Sequence, residues 1–179
     1  RFLGNPVDIE LTRTTDPLSS HSVLLDASGS TTAKALVDEL GLPLAEIATG
    51  RMDFNANIRF PDTQAESPGT MQIIIESDMR GFGLEMPAPL AKGPAEVLPL
   101  ILSMGFPENN RIDSSGSLGE NFKWNFRFLK DQDSWDFDRG VLAVGGDYPE
   151  VPEVRGLHIT GQTPEIRVHD WLELARRGD

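Results

Sequence analysis

The sequence contains no cysteine, which excludes disulfides, thiolate metal sites and a cysteine nucleophile. It also has no apolar run that approaches the roughly 18 residues needed to span a membrane as a helix. No signal peptide is visible, and the chain starts at Arg1 without an initiator methionine. We therefore expect an excised piece of a longer protein, from which targeting information has been removed.

Basic residues are scarce relative to acidic ones. The chain has 16 Lys and Arg against 28 Asp and Glu, a formal net charge of −12. An acidic surface repels phosphate backbones, so no nucleic acid partner is expected. The same field disfavours docking on anionic lipid headgroups. The simplest use of the charge is to keep the protein soluble.

Motifs that carry catalysis or bind phosphate are also lacking. The three histidines, His21, His158 and His169, have no metal-ligand spacing, and no His-Glu-x-x-His run occurs. Gly81–Gly83 does not open a helix after a strand, as a phosphate loop would. The Ser- and Thr-rich stretch from Thr12 to Ser22 has no nucleophile elbow. The sequence therefore predicts no enzyme, no cofactor and no metal.

One acidic cluster invites a test for calcium. Four aspartates fall within eight residues: Asp131, Asp133, Asp136 and Asp138. Trp135 occupies a position where a calcium loop needs an oxygen ligand, and the required glycine and terminal glutamate are missing. We therefore predict that Asp131 to Ser134 forms a solvated hairpin tip without metal.

The main positive signal is period-two alternation, which places every second side chain on one face of a strand. The clearest runs put on one face Met52, Phe54, Ala56, Ile58 and Phe60, and, in a second strand, Phe122, Trp124, Phe126 and Phe128. Weaker runs are Val7/Ile9/Leu11, Val23/Leu25/Ala27, Met71/Ile73/Ile75, Phe82/Leu84/Met86 and Leu157/Ile159. Strands with one wet face are typical of antiparallel pairing.

Helices and loops are predicted between these strands. A helix capped by Ser30 or Thr31 runs to Leu40, and a second covers His169 to Arg177. Pro61 to Gly69 is a polar connection, and Phe106 to Gly119 is a loop or a mobile arm.

The overall prediction is a mainly β fold with a few short helices. Residues 1–179 form a single β-rich segment, with possible sub-units at 1–60 and 61–179. A helix, a glycine and a long strand recur in outline, as in a fragment of a repetitive β protein. The large apolar face fits either a closed β-sandwich core or a sheet curled into a groove that holds acyl chains. Alternation alone does not separate these two structures.

Four phrases resemble those of the YhdP-type AsmA-like proteins of Gram-negative bacteria. They are Phe2–Val7, Leu40–Phe54, Ser77–Lys92, and Arg155–Gly161 with Asp170–Leu172, in the family's order. Ser77–Lys92, which reads SDMRGFGLEMPAPLAK, is the most specific.

The resemblance implies a long periplasmic protein, anchored in the inner membrane by a helix absent from this chain. It implies an antiparallel, strongly curved sheet of the repeating β-groove type that conducts phospholipid. The expected partners are phospholipid acyl chains and neighbouring segments of the same full-length chain. The expected groove residues are Met52, Phe54, Ala56, Ile58, Phe60, Ile73, Ile75, Phe122, Trp124, Phe126 and Phe128. The alternative function is a structural or interaction module of the cell envelope that binds no lipid.

Overall fold

The computed structural model describes residues 5–13, 21–40, 47–62, 69–87, 90–108, 110–132, 134–162 and 169. The strands are β1 (Val7–Arg13), β2 (His21–Thr32), β3 (Ala48–Pro61), β4 (Met71–Ser77), β5 (Phe82–Leu84), β6 (Leu100–Glu108), β7 (Arg111–Leu118), β8 (Phe122–Asp131), β9 (Ser134–Val144) and β10 (Gly156–Gly161). One helix, α1 (Ala33–Leu40), follows β2. No helix within these ranges is both long and apolar enough to cross a bilayer.

The strands form one ten-stranded sheet. Its order is β1-β2-β3-β4-β6-β7-β8-β9-β10, and β5 pairs with the first residues of β3. The pairs along this path are antiparallel except β9 and β10, which run parallel. The mainly β, largely antiparallel prediction is confirmed. The closed β-sandwich alternative is not supported, because the described strands belong to a single open sheet.

The strongest local predictions are confirmed. The alternating runs lie in β3 and β8, and Asp131 pairs with Ser134 across a tight hairpin in which Gln132 has a φ of 53°. Helix α1 is present, but its cap is Thr32, whose hydroxyl accepts a hydrogen bond from the Ala35 amide at 3.1 Å. Ser30 and Thr31 belong to β2 instead. The predicted helix from His169 to Arg177 lies outside the described residues except at its first position.

The prediction of a loop or mobile arm from Phe106 to Gly119 is wrong. This stretch holds the end of β6 and all of β7, which pair from Leu100↔Leu118 to Glu108↔Arg111. The sequence of β7, RIDSSGSL, has small side chains where alternation looks for large ones. Ser114 and Ser117 are nevertheless buried. Neighbouring strands therefore supply the packing that these residues do not supply themselves.

A compact core covers one end of the strands. It comprises Ala33, Leu36, Ala48, Met52, Met79, Phe82 and Leu84, with Met86, Leu100 and Leu118 packed against it. We call the strand ends that carry Met52, Leu100 and Leu118 the closed rim. The opposite ends, at Phe60, Phe106 and Phe128, form the hairpin rim.

The connection from β9 to β10, residues 145–155, lies across the face of the sheet that carries Asn125 and Val141. The Asn125 amide donates to the Pro149 carbonyl at 3.4 Å, and the Arg139 guanidinium donates to the Glu153 carbonyl. Val141, which pairs with Asn125, is buried on that side at 4% exposure. A parallel pair requires such a crossover, and here it leaves the opposite face of the sheet uncovered.

Asp138 fastens this crossover. Its carboxylate accepts hydrogen bonds from Arg139 Nε and Arg155 Nε, both at 2.6 Å, and its side chain is buried. Hydrogen bonding to Arg139 lowers the pKa of Asp138, burial opposes this, and Arg155 adds to the lowering, so that the pKa lies below its usual value.

The Asp138→Asn variant should therefore show a pH-dependent defect. A carboxyl with a depressed folded pKa stabilises the fold above its unfolded pKa, and this contribution disappears as the pH falls through the folded pKa. Urea unfolding at about pH 7 should show the variant less stable than the unaltered chain, and at about pH 3 the gap should shrink. Asp136→Asn, at an exposed position, should match the unaltered chain at neutral pH. A gap of the same size at both pH values would contradict this role for Asp138.

Candidate functional site

One face of the sheet is apolar along its whole width. Because paired residues point to the same side, the registers place together the residues that we call the apolar face. They are Val7, Ile9, Leu11, Val23, Leu25, Ala27, Met52, Phe54, Ala56, Ile58, Phe60, Met71, Ile73, Ile75, Leu100, Leu102, Met104, Phe106, Ile112, Leu118, Phe122, Trp124, Phe126, Phe128, Phe137, Leu142, Val144, Leu157 and Ile159. Smaller residues lie among them: Gly29, Thr31, Ser77, Ser114, Gly116 and Gly140. At the strand ends Arg13, which pairs with Val23, and Lys130, which pairs with Trp135, lie on the same side.

The structure brings every predicted groove residue onto this face. Ala56 pairs with Ile75, and Ile58 pairs with Ile73, so the β3 and β4 residues adjoin directly. The β8 residues lie farther along the sheet, beyond β6 and β7. The predicted residues therefore form two patches on one surface, and β6 and β7 join the patches.

Accessibility varies across this surface. Near the closed rim, Met52, Phe54 and Phe122 are buried at 8%, 6% and 7% exposure. The remaining predicted groove residues, from Ala56 to Phe128, are half-buried. On the two outer strands Ile9 and Ile159 are exposed at 65% and 67%. The face is therefore accessible over most of its width, and the core covers it only at one rim.

Aromatic rings cover the part of the apolar face that β8 and β9 form. Trp124 and Phe126 stack with centroids 6.4 Å apart, and Phe137 meets Phe126 and Phe128 edge-on at 5.7 Å. The Trp124 indole N–H donates to Ser114 Oγ at 3.4 Å.

Phe137 was missing from the sequence prediction because β9 contains a bulge. The register slips between Arg127 and Phe128, which leaves Asp138 as the extra residue. Strict alternation counted back from Leu142 places Phe137 on the wrong side, whereas the bulge turns it onto the apolar face. The available signal was the change of phase within β9, since Trp135 and Phe137 alternate with aspartates up to Asp138, whereas the apolar-face residues after Arg139 follow the other phase.

The opposite side of the sheet, which we call the polar face, carries most of the strand charges. Asp113 accepts hydrogen bonds from Arg111 Nε at 3.0 Å and Arg127 Nε at 2.9 Å. Burial raises the pKa of Asp113, but the bonds from the two arginines outweigh burial and hold the pKa below its usual value. An open cavity of about 650 Å³ on this face is lined mainly by polar side chains, including Asp8, Asp26 and Arg59.

Lys92 holds the loop that builds the closed rim. Only 5% of the residue is exposed, and its ammonium donates to the carbonyls of Met79 (2.7 Å), Phe82 (2.6 Å) and Gly93 (3.2 Å). Burial lowers the pKa of Lys92, and the charges of Glu96 and Asp78 oppose this lowering. The lysine at the end of the Ser77–Lys92 phrase is therefore a structural residue.

The glycines of two phrases meet at this rim. Gly50 and Gly81 have φ values of 87° and 88°, and a Cβ on Gly50 would lie 2.1 Å from the Gly81 carbonyl oxygen. The Arg51 amide donates to the same oxygen at 3.1 Å. Both the left-handed backbone and the close approach require glycine at these positions.

The described ranges contain no cluster of three or more His, Asp or Glu side chains arranged to hold a metal. His21 Nε2 lies 3.2 Å from the Thr70 carbonyl oxygen, which links the start of β2 to the start of β4. The described strands thus present an extended apolar surface on one face of the sheet and a charged surface on the opposite face.

Comparisons with curated proteins and with solved structures return no match. A comparison with protein-family models gives a match to the model described as YhdP protein, over residues 1–178. The match covers both long alternating strands, the buried-lysine loop and the crossover. The chain belongs to the YhdP protein family.

Proposed function

We propose that this chain is a non-enzymatic segment of a phospholipid-transport protein of the cell envelope, and that acyl chains lie against its apolar face. The YhdP family is one of envelope proteins, and membership points to lipid transport. The observation that carries the proposal is the apolar face, which extends from β1 to β10.

Exposed apolar surface of this extent requires a partner. Monomeric soluble proteins rarely expose contiguous apolar patches above a few hundred Å², and larger ones mark binding surfaces. Covering such surface stabilises a complex by about 25 cal/mol for each Å² removed from water. An acyl chain has the matching chemistry, since it offers only methylene groups and asks for no hydrogen bonds.

The placement of charge supports the same assignment. The ion pairs Arg111–Asp113 and Arg127–Asp113 lie on the polar face, and the crossover covers that face rather than the apolar one. Water and lipid would then contact opposite sides of one sheet. In this proposal the sheet curves to form a groove, the protein works in the periplasm, and a segment outside this chain anchors it in the inner membrane. Neighbouring segments of the full-length chain continue the groove.

Tryptophan quenching tests the proposal directly. With Trp135→Phe and Trp171→Phe, only Trp124 emits, and its ring lies on the apolar face. Vesicles of phosphatidylcholine brominated on the acyl chains should quench Trp124 emission, because bromine quenches only at close contact.

The matched control moves the indole to the other side of the same strand. In the chain with Trp124→Phe and Leu129→Trp added, the indole lies on the polar face, where position 129 pairs with Arg111. Its emission should be unaffected by the brominated lipid. Equal quenching at both positions, or none at Trp124, would refute acyl-chain contact and favour the envelope module that binds no lipid.

A further inference from the structure

Glycines on the interior strands of the apolar face lie directly opposite aromatic rings. The registers pair Gly29 with Phe54, Gly116 with Trp124, and Gly140 with Phe126. These three glycines have no left-handed φ, so their backbone dihedrals do not require glycine. Glycine inside a strand weakens the strand, which makes three such pairings on one face a feature to explain.

The rings occupy the space that a side chain would take. A Cβ on Gly140 would lie 2.4 Å from Cδ1 of Phe126. One on Gly116 would lie 2.3 Å from Cζ2 of Trp124, but also 2.2 Å from the Ile101 carbonyl oxygen, so the backbone by itself requires glycine at position 116. The corresponding distance from Gly29 to Cζ of Phe54 is 3.3 Å. Each ring therefore lies down over the backbone of the neighbouring strand and does not stand up from the sheet.

A displaced Phe126 ring would have one direction left. Trp124 stacks on one side of it at 6.4 Å, and Phe137 meets it edge-on at 5.7 Å. On the β7 side Phe126 faces Ser114, and the Trp124 indole N–H, which donates to Ser114 Oγ at 3.4 Å, adjoins that place. A methyl group at position 140 would close the β9 side. The ring would then have to rise away from the sheet, into the space above the apolar face.

Building on the proposed function, we propose that Gly140 is a positioning residue that sets the clearance above the apolar face. By letting Phe126 lie flat, it keeps a smooth apolar strip across β8 and β9. The ligand class that such a strip fits is a linear, unbranched acyl chain, which needs continuous contact and little height. Gly140 acts through the Phe126 ring and does not itself bind lipid.

The test is a rescue experiment in the chain whose only tryptophan is Trp124. Gly140→Ala should leave the circular dichroism spectrum β-rich but lose most of the quenching by brominated phosphatidylcholine. Adding Phe126→Ala to Gly140→Ala should restore the quenching, because the obstructing ring is gone. If Gly140 served folding alone, removing a second packed group would bring no recovery, and that result would overturn the proposal.

Folding defects are separated from obstruction by the melting temperature. A Cβ at position 140 would also lie 2.9 Å from the Asn125 carbonyl oxygen, so Gly140→Ala has some backbone strain. If Gly140→Ala unfolds, the double variant should still fold and be quenched. A double variant that is also unfolded would mean that the backbone contact, not the ring, requires glycine, and the proposal would fall.

Gly105→Ala supplies the matched control. Gly105 is in β6 and pairs with Asp113 on the polar face, and its Cβ would meet only the Asp113 carbonyl oxygen, at 4.0 Å. This variant should be quenched like the parent chain. Absence of quenching in the parent would refute the proposed function itself, whereas equal quenching in the parent and Gly140→Ala would refute only the role of Gly140.

Discussion

Phe126→Asp is expected to abolish acyl-chain contact while the chain stays folded. Phe126 is half-buried on the open face, so the new carboxylate can keep most of its hydration. The loss of ring packing against Trp124 and Phe137 should lower the free energy of unfolding by about 1–2 kcal/mol. A charge in the middle of the apolar strip should exclude a methylene chain, because an acyl chain offers no hydrogen bond. The measurements are a thermal melt and the crosslinking yield with a phospholipid that has a photoactivatable acyl chain.

Ser103→Asp is the control for charge alone. Ser103 is half-buried like Phe126, but it lies on the polar face between Ile74 and Ser115. Its crosslinking yield should equal that of the unaltered chain. Unfolding of Phe126→Asp would indicate that a second layer covers the face in solution. A folded variant with full crosslinking would remove this part of the face from the mechanism.

Lys92→Met is expected to produce the largest loss of stability among the substitutions proposed for this chain. Methionine keeps the apolar stem but removes the ammonium that serves the Met79, Phe82 and Gly93 carbonyls. The Met79 and Gly93 carbonyls would keep the amides of Phe82 (3.2 Å) and Glu96 (3.1 Å) as donors, so each loses one of its hydrogen bonds and not all of them. A hydrogen bond to a charged group contributes about 1.5–3 kcal/mol. The closed rim would loosen first, since these carbonyls belong to the loop that packs Phe82 and Leu84 into the core. Urea unfolding monitored by circular dichroism measures the effect.

Lys34→Met isolates the contribution of burial. Among the described residues Lys34 forms an i, i+4 pair with Asp38, and its side chain is 80% exposed. Exposed pairs of this kind contribute about 0.3–0.5 kcal/mol, so the variant should unfold close to the unaltered chain. Equal losses at Lys34 and Lys92 would mean that the buried hydrogen bonds contribute nothing beyond a surface charge.

Residues with large alternating side chains could be assigned from the sequence. Phe54 and Ile58 in β3, and Trp124 and Phe126 in β8, repeat every second position, and the structure places them as predicted. The hairpin at Asp131 was also readable, because polar residues separate two apolar runs there. These signals are local, and a local signal can be recognised without knowing which strand lies beside it.

The remaining features of the sheet depended on residues in the neighbouring strands. The hairpin of β6 and β7 was not predicted because Gly105, Pro107 and Gly116 break the alternation. Gly116 is small because the Ile101 carbonyl oxygen and the Trp124 ring, both on neighbouring strands, leave no room for a side chain. Phe137 was missed because the bulge at Asp138 changes the phase of β9. The parallel pairing of β10 has no signature within its own six residues. Cross-strand complementarity of this kind is a pair property, and a single strand does not encode it.

The crossover before β10 also determines at which rim the last described strand ends. With antiparallel pairing throughout, β10 would run opposite to β9 and end at the hairpin rim. Instead Gly161 pairs with Val144, so the last described strand ends at the closed rim, where Val7 begins the first one. Residues 145–155 return the chain from the closed rim to the hairpin rim. They pass over the polar face, across Val141. Among the described residues, a linear molecule that crosses the apolar face from strand to strand would meet side chains and would cross no connecting backbone segment.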